Sequence, residues 1–159
     1  MREEKIFEKY VDYGFGFPVT LLNAPMVKVR GEWLLEINYS NYALLMLKAL
    51  VSKSVPLTGN EIRFIRQKFE NTLAEFGKML GHTHQAVLKW EKKGEQPTGM
   101  YKSTEKLIRL IVAQYLSENS SASKKNPWRN FNRLTHKILE EKFVSEDKQN
   151  VIDVQKELA

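Results

Sequence analysis

The sequence predicts a mainly α-helical protein in which four or five helices form the best-defined part. A small β segment precedes these helices and a helical extension follows them. Helix-capping motifs recur at short intervals between residues 57 and 116, and apolar residues there recur every three or four positions. The alternation of apolar and polar residues that is typical of strands is confined to residues 17–38.

Two capping boxes predict where the first two helices begin. They are Thr58-Gly59-Asn60-Glu61 and Thr72-Leu73-Ala74-Glu75. In each box the threonine hydroxyl can accept a hydrogen bond from the backbone N–H three residues on, while the glutamate reaches back to the threonine N–H. The apolar faces that we expect to be buried contain Ile62, Ile65 and Phe69 in the first helix and Leu73, Phe76 and Leu80 in the second.

Glycine, threonine and proline mark the limits of the next two helices. Gly81 ends the second helix, Thr83 can cap a third, and Gly94 and Pro97 break the chain before a fourth helix at 103–116. The residues that we expect to be buried are Ala86, Val87 and Trp90 in the third helix and Leu107, Leu110, Ile111 and Tyr115 in the fourth.

The second and third helices form a helix-turn-helix, because they are short and are joined by a tight turn at Gly81. Residues 57–66 and 74–81 resemble the first two helices of Xre/Cro-repressor-like domains, and residues 87–94 resemble the end of their recognition helix. The resemblance implies a lambda-repressor-like helix-turn-helix domain that places its recognition helix in the major groove. It also implies a homodimer that binds an inverted repeat in double-stranded DNA.

Eight residues are predicted to contact DNA. Gln85 matches a base-reading position of the family, and its amide can make a bidentate contact with adenine. Lys89 can reach guanine or a phosphate, and His84 stands at the exposed start of the recognition helix. The complete predicted set is Thr72, Thr83, His84, Gln85, Leu88, Lys89, Lys92 and Lys93.

Two positions depart from the family pattern. Leu73 stands where the family often has a phosphate-binding glutamine, and Leu88 stands where it usually has a small polar residue. These two leucines also allow a different interpretation, in which the fold has lost DNA binding and serves only as a scaffold. Glu91, which follows Trp90, is expected to be a structural partner within the fold.

The distribution of charge favours a polyanionic partner. The chain has a net charge of +6, and residues 58–116 hold ten Lys/Arg against six Asp/Glu, a net of +4. Residues 1–57 and 117–159 each have a net charge of only +1. The positive excess therefore lies on the predicted DNA-binding domain.

The N-terminal segment reads as a small sheet followed by a helix. Residues 17–22, 26–30 and 33–38 have the composition of short strands, and a leucine-rich helix is predicted at 41–53. We therefore divide the chain into an N-terminal α+β segment at 1–56 and the DNA-binding domain at 57–116, followed by a linker at 117–126 and a C-terminal helical extension at 127–159.

The order of these parts resembles the zinc-finger/helix-turn-helix antitoxin-like regulators, in which two Cys-x-x-Cys-Gly knuckles bind one zinc ion. Residues 10–14 and 27–32 stand at the knuckle positions, and both retain a glycine although the chain has no cysteine. Apolar packing of Tyr10, Tyr13 and Val27 would replace the metal under this reading. The alternative is an unrelated small sheet whose glycines form turns, and neither reading includes zinc.

The C-terminal extension carries an apolar stripe on a predicted helix. A stripe of this kind beyond a flexible linker either folds back on the core or docks on another chain. Its members are Trp128, Phe131, Leu134, Thr135, Ile138 and Leu139.

Nothing in the sequence indicates an enzyme. The three histidines lack a metal-ligand spacing, and no glycine-rich phosphate loop, nucleophile elbow or cysteine nucleophile is present. We expect no metal or other cofactor. Because the chain also lacks an apolar run of about eighteen residues and a signal-peptide core, we expect a cytoplasmic protein with no membrane association.

Two functions from different classes fit these observations. The first is a sequence-specific transcriptional regulator that binds DNA as a dimer. The second is an antitoxin that neutralises a toxin protein through its N-terminal or C-terminal segment and also represses its own operon.

Overall fold

A computed structural model describes residues 2–119, 127–140 and 150–158. The chain forms two compact units. One consists of Met1–Met46 together with Asn150–Ala159, and the other of Leu47–Gln149. The division falls within helix α1, Tyr39–Val51.

The first unit is built on a four-stranded mixed sheet. Its strands are β1 Glu4–Asp12, β2 Val19–Val29, β3 Glu32–Leu35 and β4 Val151–Asp153. Strand β2 is central and pairs antiparallel with β1 along one edge. Its other edge is shared, because β4 pairs in parallel with residues 20–22 and β3 pairs antiparallel with residues 26–29. A short helix, α7 Val154–Glu157, follows β4.

The second unit is helical. After the end of α1 it contains α2 Gly59–Lys68, α3 Leu73–Met79, α4 His84–Glu91, α5 Lys102–Asn119 and α6 Pro127–Leu139. Within the part of the chain that the structure describes, no helix is long and apolar enough to cross a membrane.

The predicted fold class is wrong. The chain is not a mainly α, lambda-repressor-like protein with a minor β segment, since seven helices accompany a four-stranded mixed sheet in the described residues. A β1–β2 hairpin opens the chain, and two strands predicted at 17–22 and 26–30 are one continuous strand, β2. The fold therefore belongs to the α+β class.

Two strands were missed for different physical reasons. Strand β1 is mostly exposed, and its charged and apolar residues come in pairs, so it lacks the one-by-one alternation of a half-buried strand. Strand β4 has three residues and pairs with β2 from about 130 positions further along the chain. Such non-local pairing leaves no signal in local sequence.

The starts of the helices agree with the prediction. Thr58 Oγ1 accepts from the N–H of Glu61 at 3.3 Å, and a Glu61 carboxylate oxygen accepts from the N–H of Thr58 at 2.9 Å. The same reciprocal pair joins Thr72 and Glu75 at 3.1 and 3.2 Å. Both capping boxes are therefore confirmed.

The predicted inward face of the fourth helix is wrong. Leu107 is 39% exposed, whereas Arg109 is only 2% exposed. The buried face of α5 therefore differs from the predicted face, because the charged residue Arg109 points inward. The buried residues of α5 are Thr104, Ile108, Arg109, Val112, Ala113 and Leu116.

Arg109 is buried because it satisfies backbone groups at the end of α1 and in the segment after it. Burial lowers the pKa of the Arg109 guanidinium below its ordinary value, and the Glu105 carboxylate acts in the opposite direction. Glu105 also accepts from the N–H of Leu57 at 2.6 Å. The carbonyl oxygens that accept from Arg109 belong to Leu50, Val51, Lys53 and Val55, at 2.7–3.2 Å.

Part of the C-terminal stripe is buried against its own chain. Leu134 and Ile138 are 5% and 0% exposed, and α6 packs against α5, whereas Leu139, another member of the stripe, is 60% exposed. The predicted linker overlaps the end of α5, and its remaining residues, 120–126, lie outside the described residues, as do the side chains of Trp128 and Phe131.

A buried tyrosine joins α1 to the sheet. Tyr42 is fully buried and donates a hydrogen bond to Oδ2 of Asp12 at 2.9 Å. The centroid of the Phe15 ring lies 4.5 Å from the centroid of the Tyr42 ring. Burial first, and the hydrogen bond and negative charge of Asp12 next, raise the pKa of the Tyr42 hydroxyl above its ordinary value.

We expect this tyrosine to make the protein less stable at alkaline pH. In the unfolded chain the hydroxyl of Tyr42 ionises near pH 10, whereas the folded chain retains the proton. The folded state then binds more protons than the unfolded state, so the contribution of Tyr42 to stability is complete below about pH 10 and falls above it. Urea unfolding of wild type and Tyr42→Phe from neutral pH to about pH 11 measures this loss. An equally steep alkaline loss in Tyr42→Phe would contradict the assignment.

Candidate nucleic-acid interface

A glycine sets the distance between α3 and the start of α4. A Cβ atom built on Gly77 would lie 2.8 Å from the carbonyl oxygen of His82 and 2.9 Å from that of Thr83. Gly81, with φ of +72°, makes the turn, and the N–H of His82 donates to the carbonyl oxygen of Gly77 at 2.8 Å. Any larger residue at Gly77 would push the two helices apart. Two short helices, α3 and α4, are therefore joined by a tight turn at Gly81.

A second glycine fixes the other end of α4. A Cβ on Gly59 would lie 2.5 Å from the carbonyl oxygen of Trp90 and 2.8 Å from that of Glu91. The segment after α4 is also hydrogen-bonded to the start of α2, through the N–H of Asn60 and the carbonyl of Gly94 at 2.9 Å. The position of α4 is therefore determined at both of its ends.

An ion pair holds the side of α4 against α2. Glu91 has a side chain only 3% exposed, and its two carboxylate oxygens accept from Arg66 at 2.5 and 3.2 Å. Arg66 also donates to the carbonyl oxygen of Asn71 at 3.0 Å, which ties in the α2–α3 loop. Arg63 reaches the same carboxylate at 3.5 Å. Glu91 is thus the structural partner that the sequence indicated.

The inner face of α4 completes the packing. Val87 and Trp90 are 0% and 7% exposed, as predicted for core residues. The His82 ring lies edge-on to the Trp90 ring at 5.0 Å, and its Nε2 is 3.3 Å from Oγ1 of Thr104 on α5. These contacts account for His82 as a structural residue.

Two predicted site residues are helix caps. Thr72 caps α3, and the Thr83 hydroxyl accepts from the N–H of Ala86 at 3.2 Å to cap α4. Both residues are exposed. In both caps the threonine hydroxyl oxygen accepts the hydrogen bond, so the hydroxyl hydrogen takes no part in capping.

The remaining predicted residues lie on the outer side of α4 and just beyond it. Gln85, Leu88, Lys89, Lys92 and Lys93 line one open pocket of about 350 Å³. Leu88 is half-buried, and the other four side chains are exposed. The structure therefore brings these five predicted residues together, with His84 exposed at the start of the same helix.

This pocket is electrically positive. Among the described residues, no ion pair or side-chain hydrogen bond involves Lys89, Lys92, Lys93 or Gln85. The carboxylate of Glu91, which is on the same helix, is turned inward and already paired. Three lysines and a glutamine thus line the pocket together with Leu88.

The residues that hold α4 in position were harder to predict from the sequence than the exposed residues of its outer side. Arg66 and Gly59 were not predicted to matter for the site, yet both determine where α4 lies. A glutamate next to the core residue Trp90 is expected to be buried, and a buried glutamate requires a cation. The sequence therefore indicated that Glu91 has a basic partner, but it did not show which arginine that partner is.

The structure separates the two predicted knuckles. Residues 10–14 end β1 and begin the β1–β2 turn, whereas residues 27–32 lie at the β2–β3 turn. These turns are at opposite ends of the eleven-residue strand β2, about 30 Å apart. The four knuckle positions cannot surround one ion, and the geometry favours the alternative in which the glycines form turns.

We expect the Glu91→Gln variant to lose about 3 kcal/mol of unfolding free energy, because it removes one charge of a largely buried pair. Urea unfolding of both proteins measures the change. Glu95→Gln is the matched control, since Glu95 is exposed, and it should change stability by less than about 0.5 kcal/mol. Equal effects of the two substitutions would show that the ion pair does not hold α4.

Comparison of the chain with known protein families, curated proteins and solved structures found no match. The function is therefore inferred from the geometry of α3 and α4.

Proposed function

We propose that the chain is a sequence-specific DNA-binding regulator that inserts α4 into the major groove and binds an inverted repeat as a homodimer. The observation that carries this proposal is the outer side of α4, where Gln85, Lys89, Lys92 and Lys93 are exposed around one pocket. The major groove is about 12 Å wide and accepts one helix with its side chains.

The chemistry of this surface suits both parts of DNA recognition. Lysines bind phosphates and position a protein on the duplex without reading its sequence. An amide such as that of Gln85 reads adenine, because it can donate to N7 and accept from the N6 amino group at once. The surface thus combines affinity for any duplex with a means of discrimination.

The fixed position of α4 also supports the proposal. Reading a base requires a side chain to be held at hydrogen-bond distance, and that demands a rigid element. Gly77, Gly59 and the Glu91–Arg66 pair hold α4 without using the residues of its outer side. The outer side therefore remains open to a ligand.

A second candidate function is an antitoxin that binds a toxin protein. The observation in its favour is an exposed apolar face on the sheet. Directly paired residues of antiparallel strands share a face, and the pairs Ile6–Pro25 and Val27–Leu34 lie on one side of β1, β2 and β3. Ile6 and Leu34 are 52% and 47% exposed. Co-purification with the product of an adjacent small reading frame would favour this candidate.

We expect duplex binding to weaken steeply with salt. If Lys92 and Lys93 each neutralise a phosphate, the slope of log affinity against log salt changes by roughly 0.9 for each lysine removed. Fluorescence anisotropy of wild type, Lys92→Gln and Lys93→Gln on one duplex over a salt series measures it. Lys137→Gln, at an exposed position of α6, is the control that keeps the wild-type slope. Binding independent of salt would contradict the proposal.

We expect Gln85 to carry sequence preference. Gln85→Ala should lose about 1 to 3 kcal/mol of binding free energy on a duplex selected from a random pool, and much less on unselected duplex. Gln67→Ala removes an exposed amide from α2 and should preserve the preference. If Gln85→Ala weakens selected and unselected duplexes equally, Gln85 does not read a base.

A further inference from the structure

The outer side of α4 has a large apolar side chain at its centre. Leu88 is three residues from Gln85 and four from Lys92, so all three lie along one face of the helix. Leu88 lines the same open pocket as Gln85 and the three lysines. An apolar group in this position is unexpected on a surface that otherwise suits a polyanion.

Packing within the chain does not account for Leu88. The core residues on the opposite side of α4, Val87 and Trp90, are 0% and 7% exposed, whereas Leu88 is half-buried and open to the pocket. A leucine that is partly in water gains free energy when an apolar group covers it. A ligand of this pocket should therefore offer both negative charge and an apolar group.

The major groove of DNA offers both. Its edges carry the phosphates, and its base pairs present one apolar group, the C5-methyl of thymine. Cytosine, guanine and adenine present only polar groups and ring edges at the corresponding positions.

We propose that Leu88 reads thymine by packing against its C5-methyl group. The inference rests on the proposed function and identifies a base that the site requires. Residues 85 and 88 are separated by about 4.5 Å along the helix axis, comparable to the step of about 3.4 Å between base pairs. The preferred half-site therefore contains an adenine contacted by Gln85 and, one base pair away, a thymine contacted by Leu88.

Deoxyuridine provides the test, since it differs from thymidine only in the missing methyl group. Duplexes selected from a random pool are prepared with each thymine replaced in turn by deoxyuridine, and their affinities for the full chain are measured. One replacement in each half-site should weaken binding by about fourfold, the equivalent of one buried methyl-sized group. This comparison uses only the wild-type protein, so it does not depend on the folding of a variant.

Two variants assign the effect to a side chain. Leu88→Ala should bind the thymine and deoxyuridine duplexes equally, because the contact with the methyl group is gone. Lys89→Ala, on the same pocket, should bind both duplexes more weakly and keep their fourfold ratio. A ratio that persists in Leu88→Ala would show that another residue reads the methyl group and would overturn the inference.

The outcomes separate this inference from the proposed function. Sequence-specific binding that is indifferent to every thymine replacement would overturn the role of Leu88 and leave the regulator proposal intact. Failure to select any preferred duplex would overturn both.

Discussion

The arrangement of the helical unit depends on the ion pair between Glu91 and Arg66. Glu91 lies at the end of α4, and Arg66 lies near the end of α2, with the carboxylate only 3% exposed. A carboxylate that is removed from water is stable there only with a matched cation, and Arg66 supplies one in a bidentate geometry. The same guanidinium bonds to the α2–α3 loop, so three elements are fixed by one side chain.

This constraint explains how α4 can keep an open outer side. Its inner side is occupied by Val87 and Trp90, and its ends approach other backbone closely only because Gly77 and Gly59 lack a Cβ. A buried arginine, Arg109, plays a comparable part at the end of α1 by donating to four carbonyl oxygens. The carboxylate of Glu91 is turned inward, whereas Lys89, Lys92 and Lys93 are exposed.

Features that depend on residues close together in the sequence could be predicted, whereas features that depend on distant residues could not. Capping boxes at Thr58 and Thr72 were predicted because each involves atoms three residues apart. The helical period predicts that Gln85, Leu88 and Lys89 share the outer side of α4, whereas Lys92 and Lys93 lie just beyond the helix. The fold class was not predicted, since β1 is largely exposed and β4 joins the sheet through distant pairing. Arg109 was missed because its partners are backbone carbonyls, which every sequence has.

The central claim is that the ion-paired and glycine-fixed helix α4 presents its outer side to the bases of DNA. A crystal structure of the full chain bound to a duplex selected from a random pool tests this claim most directly. The account predicts α4 in the major groove, with Gln85 and Leu88 facing base edges and the Glu91–Arg66 pair intact. A duplex bound to another surface, or α4 lying outside the major groove, would contradict it.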